Sequence, residues 1–181
     1  MTDAESFPLS RIFAVDDLTP EGVDFVVDAS KEECVALASF LDLPVIHNLK
    51  GVFRLTGTTR RVTVTGEVTA RLAQLCSVSL EPFDTDLVEE VEVFFAEAGT
   101  HRPASIAESP LEVELMPDEP DELIDGKIDL GSLTAEFLAL GLDPYPRKPG
   151  VEFSFETDTD APDSPFSALS GLKESTRDNK N

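Results

Sequence analysis

Few residues in the chain have side chains suited to metal or nucleophile chemistry. It carries two cysteines, Cys34 and Cys76, and two histidines, His47 and His101. Cys76 opens the stretch Cys-Ser-Val-Ser-Leu-Glu-Pro-Phe, and with Ser79 it has the spacing of a Cys-x-x-Cys zinc knuckle whose second thiol is a hydroxyl. Structural zinc is held by four nitrogen or sulfur ligands, and serine is a poor substitute. The chain has no second Cys-x-x-Cys and no His-x-x-His, so no metal site is expected. His47 is expected to point inward from a strand, and His101 stands in a Pro-rich stretch beside Arg102; neither belongs to a cluster with ligand spacing. Gly-x-Gly-x-x-Gly, P-loop and Gly-x-Ser-x-Gly sequences do not occur. Carboxylates are too numerous for any pair to stand out as an acid–base couple. The sequence predicts no catalysis and no cofactor.

What the chain carries instead is charge. Its 36 acidic and 14 basic residues give a net charge of −22. Such a chain repels phosphate backbones and anionic lipid and attracts basic partners. The charge is also segregated. Glu81 to Asp125 holds 15 acidic residues and one basic residue, Arg102, whereas Lys50 to Gln74 holds five basic residues and one acidic, Glu67. On adjacent antiparallel strands these segments would attract each other across the pair. Two binding readings follow. Asp118, Glu119, Asp121 and Glu122, in the acidic stretch, are candidates for a basic partner. Arg54, Arg60, Arg61 and Arg71 are candidates for RNA, although no aromatic residues are interleaved with them for base stacking.

The elements that must position these groups are legible in the spacing. Val23, Phe25 and Val27 alternate as in a half-buried strand, preceded by the turn signal Thr-Pro-Glu-Gly. Ser30 and Glu33 form the signature of a capping box, and Cys34, Leu37, Ala38 and Leu41 continue it as one apolar helical stripe that stops before Pro44. Cys34 is thus a core residue. Three strands are expected next. The first places Val45, His47, Leu49, Phe53 and Leu55 on one face. The second places Val62, Val64, Val68, Ala70, Leu72 and Cys76 inward, with Gly66 marking a bulge or a close backbone approach. The third places Phe83, Leu87, Val91, Val93 and Phe95 opposite a row of acids. The short connections Gly-Thr-Thr-Arg and Ser-Val-Ser-Leu-Glu-Pro argue for an antiparallel meander, since parallel strands need a long crossover. Residues 97–127 read as an acidic, Pro-rich loop in which Pro-Leu-Glu-Val-Glu-Leu alone alternates like a strand. A second helix begins at Asp129 as N-cap, turns Leu130, Leu133, Phe137, Leu138 and Leu140 inward, and closes before Pro144.

The expected fold is α+β: an antiparallel meander sheet, open or curled toward a barrel, with two principal helices. At 181 residues and 41% hydrophobic composition the chain suits one domain with a core, here residues 1–155. Residues 156–181 turn to Asp, Ser, Thr and Pro and read as a disordered tail. Within that tail Phe166, Leu169 and Leu172 recur at helical spacing after a proline, as in a peptide that docks into a groove or back onto its own domain. No signal segment is seen, and apolar runs fall short of the ~20 residues that span a bilayer. A cytoplasmic location with reduced thiols is expected, without membrane association.

Residues 70–95, ARLAQLCSVSLEPFDTDLVEEVEVFF, followed by residues 124–147, IDGKIDLGSLTAEFLALGLDPYPR, resemble the YceD family of large ribosomal RNA subunit accumulation proteins. In that family a strand ends in Cys-x-x-Cys-Leu-x-Pro, an acidic strand ends in aromatic residues, and a helix is introduced by Ile-Asp-Leu. Cys76, Leu80, Glu81 and Pro82 occupy the first motif, with Ser79 in place of the second cysteine. Ile128, Asp129 and Leu130 occupy the other. The resemblance extends over roughly residues 10–155 and is to the alphaproteobacterial type of the family. It implies a role in large-subunit ribosomal RNA accumulation. Joined to the acidic charge, it implies a basic ribosomal protein or assembly factor as partner, with direct binding of ribosomal RNA precursor as the alternative. The missing second cysteine implies that a thiol pair is not part of the shared function.

Overall fold

The structure, a computed structural model, describes residues 8–97 and 120–152. Met1–Val151 forms one compact unit and Glu152–Asn181 a second, and every element below belongs to the first. In chain order these are β1 (Ile12–Ala14), β2 (Val23–Asp28), α1 (Lys31–Phe40), β3 (Val45–Thr58), β4 (Arg61–Leu75), β5 (Pro82–Glu97), β6 (Asp121–Leu123), β7 (Lys127–Asp129) and α2 (Leu130–Leu140). A 3-10 turn at Val15–Asp17 follows β1. The fold is α+β, as expected. β2, β3, β4 and β5 form an antiparallel meander in chain order, and β6 joins the far edge of β5 in parallel. β2 pairs with neither β5 nor β6, so the sheet stays open and no barrel closes.

Strand alternation creates one buried and one bare face. Val27, Leu49, Phe53, Leu55, Val62, Val64, Val68, Ala70, Leu72, Leu87 and Val91 are buried in the core, where α1 packs on β3 and α2 on β4 and β5. Each Val, Leu or Phe among them contributes about 1.5–3 kcal/mol of hydrophobic stabilisation. Two positions allow unusually close approach. A Cβ on Gly66 would lie 2.1 Å from the Val52 carbonyl oxygen, so Gly66 marks a backbone contact rather than a bulge. A Cβ on Gly51 would lie 2.7 Å from Thr134 Oγ1, which lets α2 settle against β3.

The helices start as their sequences dictate. Ser30 caps α1 in the reciprocal capping box with Glu33, and Asp129 caps α2 by accepting from the N–H groups of Gly131 and Ser132. Cys34, Leu37 and Ala38 are buried, and Leu41 packs beside them. The two helix starts are tied together. β1 pairs with β7, bringing Arg11 beside Asp129, and the Arg11 guanidinium donates to both Glu33 oxygens at 2.8 and 2.9 Å. That bidentate pair holds the Glu33 carboxyl below its ordinary range, with the Ser30 N–H assisting.

Several expectations are corrected. His47 does not point inward: the β3–β4 register shifts between Ile46 and Asn48, so Ile46 is buried while His47 faces out toward Asp84. The extra residue of a bulge inverts the parity upstream of it. Leu140 is exposed rather than buried. At 3.6 residues per turn it points within about 20° of Leu133, seven residues earlier, so its exposure follows from its place as the last residue of α2 rather than from its angle. Residues 121–123, expected within the loop, form β6, and residues 127–129, expected as the end of that loop and the lead into the second helix, form β7. The alternating segment 110–115 lies outside the described residues. No helix among the described residues is long and apolar enough to cross a membrane.

Candidate functional site

Cys76 terminates the inward face of β4 and is fully buried. The chain then folds into a knuckle. The Leu80 N–H donates to the Cys76 carbonyl at 2.9 Å, the Cys76 N–H donates to the Glu81 carbonyl at 2.9 Å, and the Ser79 N–H reaches the Cys76 sulfur at 3.4 Å. Leu80 is left at φ 58°, a left-handed conformation uncommon for a branched side chain, with its side chain in solvent. A second segment clasps this knuckle from the α2 side. The Ser77 N–H donates to the Pro146 carbonyl at 2.8 Å, the Gln74 amide donates to the Asp143 carbonyl at 3.2 Å, and Lys148 Nζ binds Glu81 at 2.7 Å. The Ser79 hydroxyl and N–H, with the N–H groups of Lys148 and Val78, pull the Cys76 thiol down to about 6. Ser79 therefore completes a nest for sulfur.

The bare face of the sheet carries the charge. Along β5 it presents Asp84, Asp86, Val88, Glu90, Glu92 and Phe94, all exposed. Neighbouring strands answer this row only in part. Asp84 receives His47 at 3.1 Å and Arg71 at 3.5 Å, which lowers its carboxyl from the ordinary value, chiefly through the histidine hydrogen bond. Among the described residues Asp86, Glu90 and Glu92 form no ion pair; Arg71 stands directly opposite Asp86 but bonds Asp84, and Glu67 stands directly opposite Glu90. Like charges so placed repel.

Of the candidate arginines, Arg54 is engaged by Asp24 at 2.8 Å and by the Glu21 carbonyl, Arg60 by Glu97 at 3.6 Å, and Arg71 by Asp84. Arg61 faces Ala96 on β5. Thus β4 and β5 do share one charge pair across the sheet, but Arg54 turns to β2. Asp121 and Glu122 lie exposed on β6, opposite Phe95 and Ala96, and extend the acidic row around the end of β5. Ile128 is buried in β7, Leu130 is buried in α2, and Pro82 opens β5. Asp118, Glu119, Phe166, Leu169 and Leu172 lie outside the described residues.

Asp129 is the most heavily bonded carboxylate described. Oδ1 accepts from the N–H groups of Arg11, Gly131 and Ser132, and Oδ2 accepts from the Ser10 hydroxyl at 2.6 Å. Burial opposes its ionisation, but these donors outweigh burial and hold it below its ordinary range. Its role is architectural: it joins β1 to the start of α2.

A family model described as large ribosomal RNA subunit accumulation protein YceD matches residues 64–173, more than half of the chain. The chain belongs to the YceD family. The match begins inside β4 and takes in the Cys76 knuckle, the acidic strand β5, β6, β7 and α2, so the acidic row lies within the family's own region. Membership carries the family's role in accumulation of large-subunit ribosomal RNA. No match to the chain was found among curated proteins or solved structures.

Proposed function

We propose that this YceD-family protein supports accumulation of large-subunit ribosomal RNA without catalysis, by binding a basic ribosomal protein or assembly factor on its acidic surface. The observation that carries this reading is the uncompensated row on β5. Glu90 and Glu92 face solvent with no basic residue opposite them, and Asp86 forms no ion pair among the described residues, whereas Arg54, Arg60 and Arg71 of the four candidate arginines are already engaged by carboxylates. A surface so arranged offers its free charge to a cation. Phosphate would have to displace an ion pair at three of the four arginines, all but Arg61, and approach against a net charge of −22.

Charge reversal tests it. Glu90→Lys with Glu92→Lys removes two free carboxylates and places a cation opposite Glu67, so the fold should persist or gain a few tenths of a kcal/mol. In cells that depend on this chain, the double variant is expected to lower large-subunit ribosomal RNA relative to small-subunit RNA. Arg61→Glu with Arg71→Glu is expected to leave that ratio unchanged. The opposite pattern would transfer the function to RNA binding by the arginines.

A further inference from the structure

Among the described residues β5 is paired along its length on one edge only. Its whole length, from Pro82 opposite Leu75 to Ala96 opposite Arg61, pairs with β4 without a register break. On its other edge β6 covers only Phe95–Glu97. No strand among the described residues pairs with that edge from Pro82 to Phe94. Among the described residues an extended stretch of about 34 Å, at ~3.4 Å per residue between Asp84 and Phe94, therefore has no strand on that edge.

The hydrogen bonds fix which backbone groups are available. In an antiparallel pair, residues that exchange bonds alternate with residues that do not. The Glu97 N–H donates to the Arg60 carbonyl at one end of the ladder, and the Cys76 N–H donates to the Glu81 carbonyl at the other. With the register unbroken between them, the odd-numbered residues of β5 are the ones bonded to β4. The N–H and C=O groups of Asp84, Asp86, Val88, Glu90 and Glu92 then point to the open edge. These same residues project their side chains onto the bare, acidic face, while Phe83, Val93 and Phe95 are only half-buried on the other side.

We infer that the edge of β5 receives an extended, lysine- or arginine-rich segment of the partner as an added strand, its cations over Asp86, Glu90 and Glu92 and its apolar side chains over Phe83 and Val93. This rests on the proposal that the acidic surface binds a basic protein, and names how it does so. Charge complementarity selects the occupant. Carboxylates on an edge strand prevent it from pairing with a second copy of itself, and those same carboxylates attract a basic strand. Main-chain bonds then give affinity and the alternating side chains give specificity.

The probe is a synthetic peptide alternating lysine with valine, long enough to span Asp84–Phe94, added to the full chain. Peptide binding is expected to slow amide exchange at Asp86, Val88, Glu90 and Glu92 and to leave the intervening amides, already bonded to β4, as they were. Val88→Pro removes an N–H that β4 does not use and obstructs the edge. It is expected to weaken binding about tenfold, the equivalent of losing roughly one hydrogen bond plus the added steric obstruction. Glu90→Lys with Glu92→Lys is expected to weaken it as well. If Val88→Pro folds and binds like wild type while charge reversal abolishes binding, edge pairing is overturned and the acidic-surface reading stands. If neither variant changes binding, both are overturned. Should Val88→Pro fail to fold, the alternating exchange pattern in the wild-type chain decides alone. Edge amides protected without peptide in a self-associated chain would give the edge to a second copy and overturn the inference.

Discussion

Replacing Asp129 by alanine tests how the described unit is tied together. The substitution removes the N-cap of α2, worth about 1 kcal/mol at a typical helix start. It also leaves the Arg11 N–H and the Ser10 hydroxyl without their acceptor, two further bonds at 2.7 and 2.6 Å. At about 0.5–1.5 kcal/mol each, these bring the expected loss to about 2–4 kcal/mol. Asparagine keeps Oδ1 for Gly131, Ser132 and Arg11 and is as good a cap, so Asp129→Asn should cost about 1 kcal/mol or less. The difference between wild type and Asp129→Asn should itself depend on pH. The folded carboxyl lies below its ordinary range, so its contribution is fully present above the unfolded value and is lost as pH falls through the folded one. Urea unfolding followed by circular dichroism, at neutral pH and at about pH 3, measures each quantity. Asp129→Ala within about half a kcal/mol of wild type, or no narrowing of the asparagine difference in acid, would refute this account of the β1–α2 junction.

Other outcomes follow from single contacts. Gly66→Ala drives a Cβ to 2.1 Å from the Val52 carbonyl oxygen, backbone against backbone, and should cost at least the ~1–3 kcal/mol of core overpacking in the same unfolding assay. The Cys76 thiol should titrate near pH 6 by ultraviolet thiolate absorbance, with that step absent from Cys76→Ser. Burial shifts Cys34 upward instead, so its step belongs above the ordinary thiol range. Because the folded Cys76 value is depressed, its contribution to stability should grow as pH rises from about 6 toward the unfolded thiol value, and Cys76→Ser should flatten that rise.

What the sequence revealed and what it hid divide along contact range. The Ser30–Glu33 capping box and the alternation of Val62, Val64, Val68, Ala70 and Leu72 depend on neighbours a few residues away, and both were legible. The row Asp84, Asp86, Glu90 and Glu92 was legible for the same reason. His47 was misplaced because one bulge residue reverses the inward parity without altering composition. Leu140 keeps the direction of Leu133 but ends α2, and spacing alone does not say where along its length a helix stops being covered. The clasp of Cys76 by Pro146, Asp143 and Lys148 had no local signal: Lys148 and Glu81 are separated by 67 positions. Nor could charge alone predict that Arg54 would turn to Asp24. That depends on β2 pairing with β3, a consequence of strand order rather than of the residues near Arg54.

The central claim is that the acidic face takes a basic protein rather than RNA. Its most direct test presents the full chain, immobilised, with RNA-free proteins of the large ribosomal subunit and separately with large-subunit ribosomal RNA transcript, at rising salt. Selective retention of a basic protein, lost steeply as salt screens the charge and lost with Glu90→Lys and Glu92→Lys, is the predicted result. Retention of the transcript, with no subunit protein held at any salt concentration, would contradict the claim.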